Sequence, residues 1–141
     1  MALCIGLDIG TTNLAAIAWE SDGGRLRGAW SAPNEARRDA PGRAELDLTI
    51  TQRQVLDLLA RLRAELGSVE IAAIGVTGQQ HGVGFLDADG APVARGITWQ
   101  DQRAVREPLP GGETALDRYT RLVPGPDAWY RLGCQPATGY L

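Results

Sequence analysis

The amino-terminal segment constrains the fold most, because residues 3–13 join a short apolar run to a polar turn. Residues 3–9 have the alternating and β-branched apolar pattern of a buried strand, Gly10 permits a tight turn, and residues 14–19 are apolar enough to return as a second strand. The segment therefore predicts a β-hairpin with polar groups at its tip. These groups are Asp8, Gly10, Thr11 and Thr12.

The polar tip has two interpretations. Backbone N–H groups beside a glycine and the hydroxyls of Thr11 and Thr12 can bind a phosphate, and Asp8 can hold the accompanying Mg²⁺ directly or through water. Alternatively, Asp8 and the two threonines satisfy the turn that they themselves form, as in an ordinary hairpin. The stretch by itself favours neither interpretation.

Composition narrows the classes of function. At 141 residues the chain has the size of one domain. Its 17 acidic and 14 basic residues are interspersed, so the sequence offers no basic stripe for nucleic acid. No apolar run approaches the roughly 20 residues that span a bilayer. Cys4 and Cys134 lack metal-ligand spacing, and the chain starts with a strand instead of a signal peptide, which indicates reduced thiols and a cytoplasmic location.

The remaining pattern predicts a mixed α/β chain that begins with antiparallel strands. After the hairpin we expect a third strand at residues 25–31 and then a loop without chemical signature at 32–46. A helix that starts with a capping box is expected at 49–66, followed by an interior strand at 70–77 that is covered on both faces. The carboxylates of residues 87–90 are expected to make a hairpin turn, and residues 113–123 a short helix.

Two further polar groups follow predicted strands. The segment 78–82 places Gln80 and His81 between glycines, and the segment 97–103 joins Trp99 to an amide, Asp101 and a guanidinium. An aromatic ring with amide and carboxylate groups suits a polyhydroxyl ligand, because the ring stacks on C–H faces while the polar groups bind hydroxyls. A lone histidine is, however, more often a structural group than a ligand-binding one.

Taken together, three motifs resemble the amino-terminal domain of the FGGY carbohydrate kinases. They are Gly-Leu-Asp-Ile-Gly-Thr-Thr at 6–12, Gly-Val-Thr-Gly-Gln-Gln-His-Gly at 75–82 and Thr-Trp-Gln-Asp-Gln-Arg at 98–103. The resemblance is closest to sedoheptulokinase-like and xylulokinase-like members and extends more loosely to residues 133–140. Glycerol kinases differ more, since they have Arg-Glu where this chain has Gln80 and His81.

This resemblance implies a ribonuclease-H-like, actin-like ATPase fold and an ATP-dependent kinase that phosphorylates a ketose hydroxyl by in-line transfer. It also implies site roles by analogy. Asp8 binds the Mg²⁺ of ATP, Gly10, Thr11 and Thr12 face the transferred phosphoryl group, and Gln80, His81, Trp99 and Asp101 line the sugar pocket. Arg103 is expected to pair with Asp101 and hold the loop.

The chain also departs from the family pattern. Ala15 stands where many members have a basic residue, so a cationic phosphate contact is missing or is supplied elsewhere. The family's general base, an aspartate in a Gly-rich Asp-Asn-Ala motif, has no match after Arg103 and is expected downstream of Leu141, as is the carboxy-terminal nucleotide domain. We therefore interpret residues 1–141 as a partial amino-terminal, sugar-binding domain that is inactive on its own.

Other functions remain open on the sequence. The chain can be a stand-alone or degenerate sugar-binding or structural domain without catalysis, or a non-kinase actin-like ATPase. If the chain is part of a longer kinase, we expect it to expose an apolar face where the missing domain would dock, and this face can make the chain self-associate.

Overall fold

The computed structural model describes residues 2–123 and 125. In chain order its elements are β1 (Ala2–Ile9), β2 (Asn13–Glu20), β3 (Arg25–Pro33), β4 (Glu45–Leu46), α1 (Leu48–Leu66), β5 (Glu70–Gly78), β6 (Gly96–Ile97), α2 (Arg103–Arg106) and α3 (Ala115–Leu122). The described residues form two units, one of residues 2–35 and 49–79 and one of residues 36–48 and 80–123. Cys134 and the looser motif at 133–140 lie outside the described residues.

The first unit is a four-stranded mixed sheet with the strand order β3-β2-β1-β5. Strand β2 pairs antiparallel with β1 in the hairpin and antiparallel with β3 on its other side, and β1 pairs parallel with β5. The predicted sequence of three antiparallel strands, a helix and a further strand is confirmed. The parallel pairing of β1 and β5 brings the carboxyl ends of both strands to the same edge of the sheet.

One face of this sheet carries the core of the unit. Alternate residues of β1 and β2, Leu3 and Leu14 among them, are buried and pack with Leu58 and Leu62 of α1. The alternation follows from the period of two along a strand, whereas the helix contributes one stripe at its own spacing. Trp30 of β3 completes this cluster, and its indole N–H donates to Glu65 Oε2 at 2.7 Å.

The helix α1 begins one residue earlier than its predicted capping box. The two candidate boxes in the sequence are Thr49 with Gln52 and Thr51 with Gln54, and because α1 starts at Leu48, both threonines lie inside the helix. The hydroxyl of Thr51 instead donates to Asn34 Oδ1 at 3.0 Å. The predicted end is confirmed, since Gly67 has φ 69° and its N–H donates to the carbonyl of Arg63 at 3.1 Å.

Strand β5 differs from its prediction as an interior strand. It pairs with β1 only, and every residue from 72 to 78 is exposed, Ile74 at 52% and Val76 at 64%. The apolar run correctly predicted a strand, but its expected burial on both faces is wrong for the described residues. An apolar run favours burial of a strand without specifying which elements cover it. Among the described residues, β5 is an edge strand.

The second unit is built around short pairings. Strand β4 pairs with β6 antiparallel, and an isolated bridge joins Val83 to Ile97. The predicted turn at 87–90 is confirmed, because Asp87 Oδ1 accepts from the N–H groups of Asp89 and Ala91 at 3.0 and 2.8 Å. The predicted short helix is confirmed as α3, which Thr114 caps in a reciprocal capping box. None of the described helices is both long and apolar enough to cross a membrane.

The segment 32–46 is more structured than its sequence predicted. It contains the end of β3, the buried Asn34, and β4, and its residue Ala44 is fully buried. Because these positions pair with residues far along the chain, no local periodicity marks them in the sequence.

Candidate functional site

The predicted phosphate turn lies at the carboxyl end of β1. Asp8 is exposed, pairs with Ala15 across the hairpin and lies beside Thr77 of β5 in the parallel register. Hydrogen bonds between the described residues leave both of its oxygens unused. A carboxylate of this kind can bind a cation.

The turn requires a glycine at position 10. A Cβ atom there would lie 2.8 Å from the carbonyl oxygen of Asn13, which is closer than real Cβ contacts. The backbone itself closes the turn, since the Gly10 N–H donates to the same carbonyl at 3.0 Å. The alternative interpretation of the sequence, in which Asp8, Thr11 and Thr12 satisfy the turn, therefore does not hold for Asp8. The turn is closed without the Asp8 side chain.

Asn34 supports the turn from below and was not identified from the sequence. It is 2% exposed, its Nδ2 donates to the carbonyl of Gly10 at 2.7 Å, and its backbone N–H donates to the carbonyl of Thr12 at 2.8 Å. One residue that directly follows β3 therefore fixes the carbonyls of Gly10 and Thr12. The only sequence signal was an asparagine directly after Pro33, which a loop also explains.

Gln79 joins the turn to the end of β5. Its side-chain Oε1 accepts from the hydroxyl of Thr11 at 2.8 Å, and its N–H donates to the carbonyl of Ile9 at 3.0 Å. Gly78 must stay small here, because a Cβ atom would lie 3.2 Å from that carbonyl. The first and second motifs thus meet at adjacent ends of two parallel strands.

The sheet face beside this turn is concave. A cavity of about 380 Å³ lies over the middle of β1, β2 and β5 on the face away from the core, and small residues such as Gly6, Ala15 and Gly75 make up much of its floor. Asp8 and Thr77 supply polar atoms at one end.

In the second unit, the Val83–Ile97 bridge brings the other two motifs together. The N–H of each residue donates to the carbonyl of the other at 2.9 and 2.8 Å. His81 precedes one bridging residue by two positions and Trp99 follows the other by two, so both lie at the same end of the antiparallel pair. Gln80 is exposed, His81 is half-buried and Trp99 is 43% exposed.

His81 has an unusual backbone. Its φ is 56°, and it is the only non-glycine residue with a positive φ among residues 2–123. The left-handed region costs an ordinary residue about 1 to 2 kcal/mol. Residues held in such conformations cluster at functional sites, where the surrounding structure maintains them.

Asp101 has a different role from the expected hydroxyl ligand. The side chain has no exposed surface, and its two oxygens accept four hydrogen bonds. Oδ1 accepts from the N–H and Nε of Arg103 at 3.0 and 2.8 Å, and Oδ2 accepts from Arg103 Nη2 at 2.7 Å and from the N–H of Ala44 at 2.8 Å. The predicted pair with Arg103 is confirmed, but a carboxylate so occupied has no surface for a sugar.

The electrostatics agree with this geometry. Burial opposes the charge of Asp101, yet the hydrogen bonds from Arg103 and from the Ala44 N–H outweigh burial and hold the pKa of Asp101 below its usual value. The same bonds, with one from Arg103 Nη2 to Glu45 Oε1 at 2.6 Å, raise the pKa of Arg103. Glu45 is a second residue that sequence reasoning missed, because it lies in the segment predicted as a loop.

The donor set at the β1 turn fits a nucleotide-bound Mg²⁺. Such an ion keeps several waters and phosphate oxygens and needs only one or two protein carboxylates, which Asp8 supplies. A metal ion bound only by protein side chains would need more ligands. Within residues 2–123, no three His, Cys, Asp or Glu side chains come together to provide them.

Comparison with known proteins identifies the family. Residues 3–108 match the model of the N-terminal domain of the FGGY family of carbohydrate kinases. The chain is 31% identical over 141 residues to a xylulose kinase of Streptomyces coelicolor, covering 98% of this chain and 26% of that protein. It is 35% identical over 136 residues to a glycerol kinase of Trichlorobacter lovleyi, covering 93% and 25%.

A solved structure agrees with the fold. The crystal structure of a xylulose kinase from Rhodospirillum rubrum matches with a TM-score of 0.75 and 28% identity, covering 86% of this chain and 24% of that one. The predicted actin-like ATPase fold, present as a partial domain with a mixed sheet, is confirmed. Overall identity does not separate the two kinds of kinase, since the chain is 31% identical to the xylulose kinase and 35% identical to the glycerol kinase; the expected difference at the positions of Gln80 and His81 stays a prediction.

The chain spans about a quarter of the length of these relatives. The residues matched by the family model, 3–108, run from β1 through β6 and include the turns described above. The chain belongs to the FGGY family of carbohydrate kinases.

Proposed function

We propose that this chain is the sugar-binding part of an ATP-dependent kinase that phosphorylates a ketose of the xylulose or sedoheptulose type. Family membership supports the carbohydrate kinase class. One observation carries the proposal further: Gln79 is bonded to the phosphate-type turn through Thr11 and Ile9, and it directly precedes Gln80 and His81 in the chain. Phosphoryl transfer depends chiefly on positioning the donor and acceptor groups, and one continuous stretch of sequence, 75–82, contributes residues to both.

Each group of residues has a task in this proposal. Asp8 holds the Mg²⁺ of ATP, and Gly10, Thr11 and Thr12 present backbone and hydroxyl donors to the phosphoryl group. The ATP supplies the phosphoryl group, and Mg²⁺ neutralises its charge.

The sugar is bound by the other unit. Gln80 and His81 hydrogen-bond its hydroxyls, and the exposed ring of Trp99 forms a wall for its C–H face. Asp101 acts through Arg103 by fixing the segment that carries Trp99. We assign it positioning instead of contact.

The proposal includes the expected dependence on further polypeptide. The general base and the nucleotide domain are supplied from outside residues 1–141, and the isolated chain has little or no kinase activity. The proposal places the protein in the cytoplasm, where ATP is available as the phosphoryl donor. Membership in a carbohydrate kinase family disfavours the alternative of a non-kinase actin-like ATPase. A stand-alone sugar-binding domain is the second candidate, because Gln80, His81 and Trp99 can bind a sugar without catalysis.

Titration of the isolated chain tests the sugar site. Calorimetry with xylulose, sedoheptulose and glycerol should show saturable binding of a ketose, and Trp99→Ala should abolish it. Trp19→Ala is the matched control, because Trp19 is 41% exposed on β2 and has no part in the proposed site. Equal losses in both variants, or preference for glycerol, would contradict the ketose proposal.

The histidine provides a second test that separates function from folding. His81→Gly relieves a left-handed backbone and should leave the melting temperature unchanged or raised while sugar affinity falls. Retained affinity would assign His81 a structural role only. Release of ADP by the isolated chain at a kinase-like rate would refute the dependence on further polypeptide.

A further inference from the structure

A tight turn of the second unit displays two neighbouring side chains. The N–H of Asp101 donates to the carbonyl of Thr98 at 3.1 Å, which makes Trp99 and Gln100 the central residues of a four-residue turn. Both corner residues are fully buried and bonded to the backbone of Ala44. The carbonyl of Ala44 accepts from the N–H and the hydroxyl of Thr98 at 3.0 and 2.9 Å, and its N–H donates to Asp101. The corners are therefore fixed, whereas the two central residues stay partly accessible.

Arg38 holds one of these central side chains in a defined orientation. Its Nη2 donates to Gln100 Oε1 at 2.5 Å. Because a guanidinium has donors only, the amide oxygen of Gln100 must be the atom that faces it. The Nε2 donors of Gln100 are thereby left for other partners, and no described residue accepts from them.

Arg38 also keeps a positive charge that no carboxylate neutralises among the described residues. Its neighbours in the second unit are different in this respect, since Arg37 and Arg95 both pair with Asp39, at 3.4 and 2.7 Å. Arg38 is exposed, and within residues 2–123 its guanidinium bonds only to the Gln100 amide. The turn that carries Trp99 therefore has hydrogen-bond donors beside it, one group of them charged.

On the basis of the proposed function, we propose that Arg38 is a specificity-determining residue. Together with the Gln100 amide it binds the ketone oxygen of an open-chain ketose, while the Trp99 ring covers the neighbouring C–H groups. A ketone oxygen only accepts, so donors satisfy it completely. A hydroxyl in its place brings a proton of its own, and the acceptors of this turn are occupied: Arg103 and Ala44 bond to Asp101, and Arg38 bonds to Gln100 Oε1. The site therefore favours a ketose over the alditol of the same length.

Xylulose and xylitol are matched probes, because they differ only in carrying a carbonyl or a hydroxyl at the second carbon. Calorimetry with the 141-residue chain should show tighter binding of xylulose. Arg38→Met should lower the ratio of the two affinities about tenfold, as expected for the loss of a hydrogen bond from a charged group. Arg106→Met is the matched control and should keep the wild-type ratio, since Arg106 is also exposed and pairs with no carboxylate among the described residues.

Gln100→Glu separates ligand recognition from a merely structural bond. The carboxylate keeps the bond to Arg38 and neutralises its charge, but it replaces the Nε2 donors with an acceptor oxygen. The melting temperature should therefore be unchanged or raised, whereas the preference for xylulose should be lost. A wild-type affinity ratio in this variant would assign the bond between Arg38 and Gln100 a structural role and overturn the proposal.

Two further results would overturn it. One is an equal effect of Arg38→Met on both sugars in a variant that a thermal melt shows to be folded. The other is tighter binding of xylonate than of xylulose, which would assign the donors to a carboxylate instead of a ketone. Failure of the proposed function is distinguishable from both, because the wild-type chain would then bind none of the three compounds, and that result overturns the assignment of Arg38 as well.

Discussion

Asp8 and Asp101 are the same side chain in opposite surroundings. Asp8 lies exposed at the end of β1, beside a turn that the backbone and Asn34 close without its help. Asp101 has no exposed surface, and Arg103 and the Ala44 N–H occupy both of its oxygens.

The difference separates two uses of a carboxylate. An open carboxylate contributes little to folding and retains its capacity to bind a cation, whereas a buried and fully hydrogen-bonded one is part of the structure and has no free capacity. In the second unit, the groups left open to bind a ligand are the exposed neighbours of Asp101, among them Trp99, and their role in sugar binding is part of the proposal. The predictions below test whether the two aspartates differ in this way.

The largest effect is expected for Asp101→Asn. The variant keeps the shape but removes the charge, so Arg103 keeps Glu45 as its only carboxylate partner and the Ala44 N–H can face an amide N–H₂. We expect the free energy of unfolding to fall by about 3 kcal/mol, as when one partner of a buried ion pair is removed. Urea denaturation measures this, and a loss below about 0.5 kcal/mol would show that the network is not structural.

Acid should have a related effect on the wild-type chain. Because the pKa of Asp101 is lower in the folded state than in the unfolded state, its stabilisation is complete above the unfolded pKa near 4 and is lost as the pH falls through the folded value. Glu107, bonded to Arg43, has a lowered pKa and acts in the same direction.

Denaturation curves at several pH values below about 5 compare the wild type with Asp101→Asn. The stability of the wild type should decline toward that of the variant, and the variant should show a flatter pH profile. Parallel profiles for the two proteins would assign the acid sensitivity to other carboxyls.

Asn34→Ala should have an intermediate effect. The substitution leaves the carbonyl of Gly10 and the hydroxyl of Thr51 without their partners below the turn. We expect a loss of about 2 kcal/mol, as for an unsatisfied buried polar group. Thermal unfolding gives the value, and Asn34→Asp, which keeps the acceptor for Thr51 and removes the donor to Gly10, shows which of the two bonds matters more.

The smallest effect on stability is expected for Asp8→Asn. The side chain is exposed and makes no bond that the variant would break, so the free energy of unfolding should change by less than about 0.5 kcal/mol. The same denaturation series provides the measurement. A loss as large as that of Asp101→Asn would show that both aspartates are structural and would remove the basis for placing Mg²⁺ at Asp8.

Much of the fold follows from local patterns. Alternating apolar residues predicted β1, an apolar return predicted β2 and helical spacing predicted α1, because each pattern depends on residues close together in the chain. The Asp8 turn is of this kind too. Its glycine and hydroxyls are adjacent in sequence, so their chemistry could be predicted before their surroundings were known.

Features that depend on distant partners could not be predicted in this way. The burial of Asp101 depends on Ala44 and Glu45, more than fifty positions earlier in a segment without periodicity. The exposure of β5 depends on which strands adjoin it, which an apolar run does not specify.

The sequence by itself thus determined the elements, the family resemblance and the polar turn, since these depend on the order of residues. Only the tertiary structure decided which carboxylate is open and which is committed to the protein. Solvent exposure and hydrogen-bond saturation are set by groups that folding brings together from distant positions.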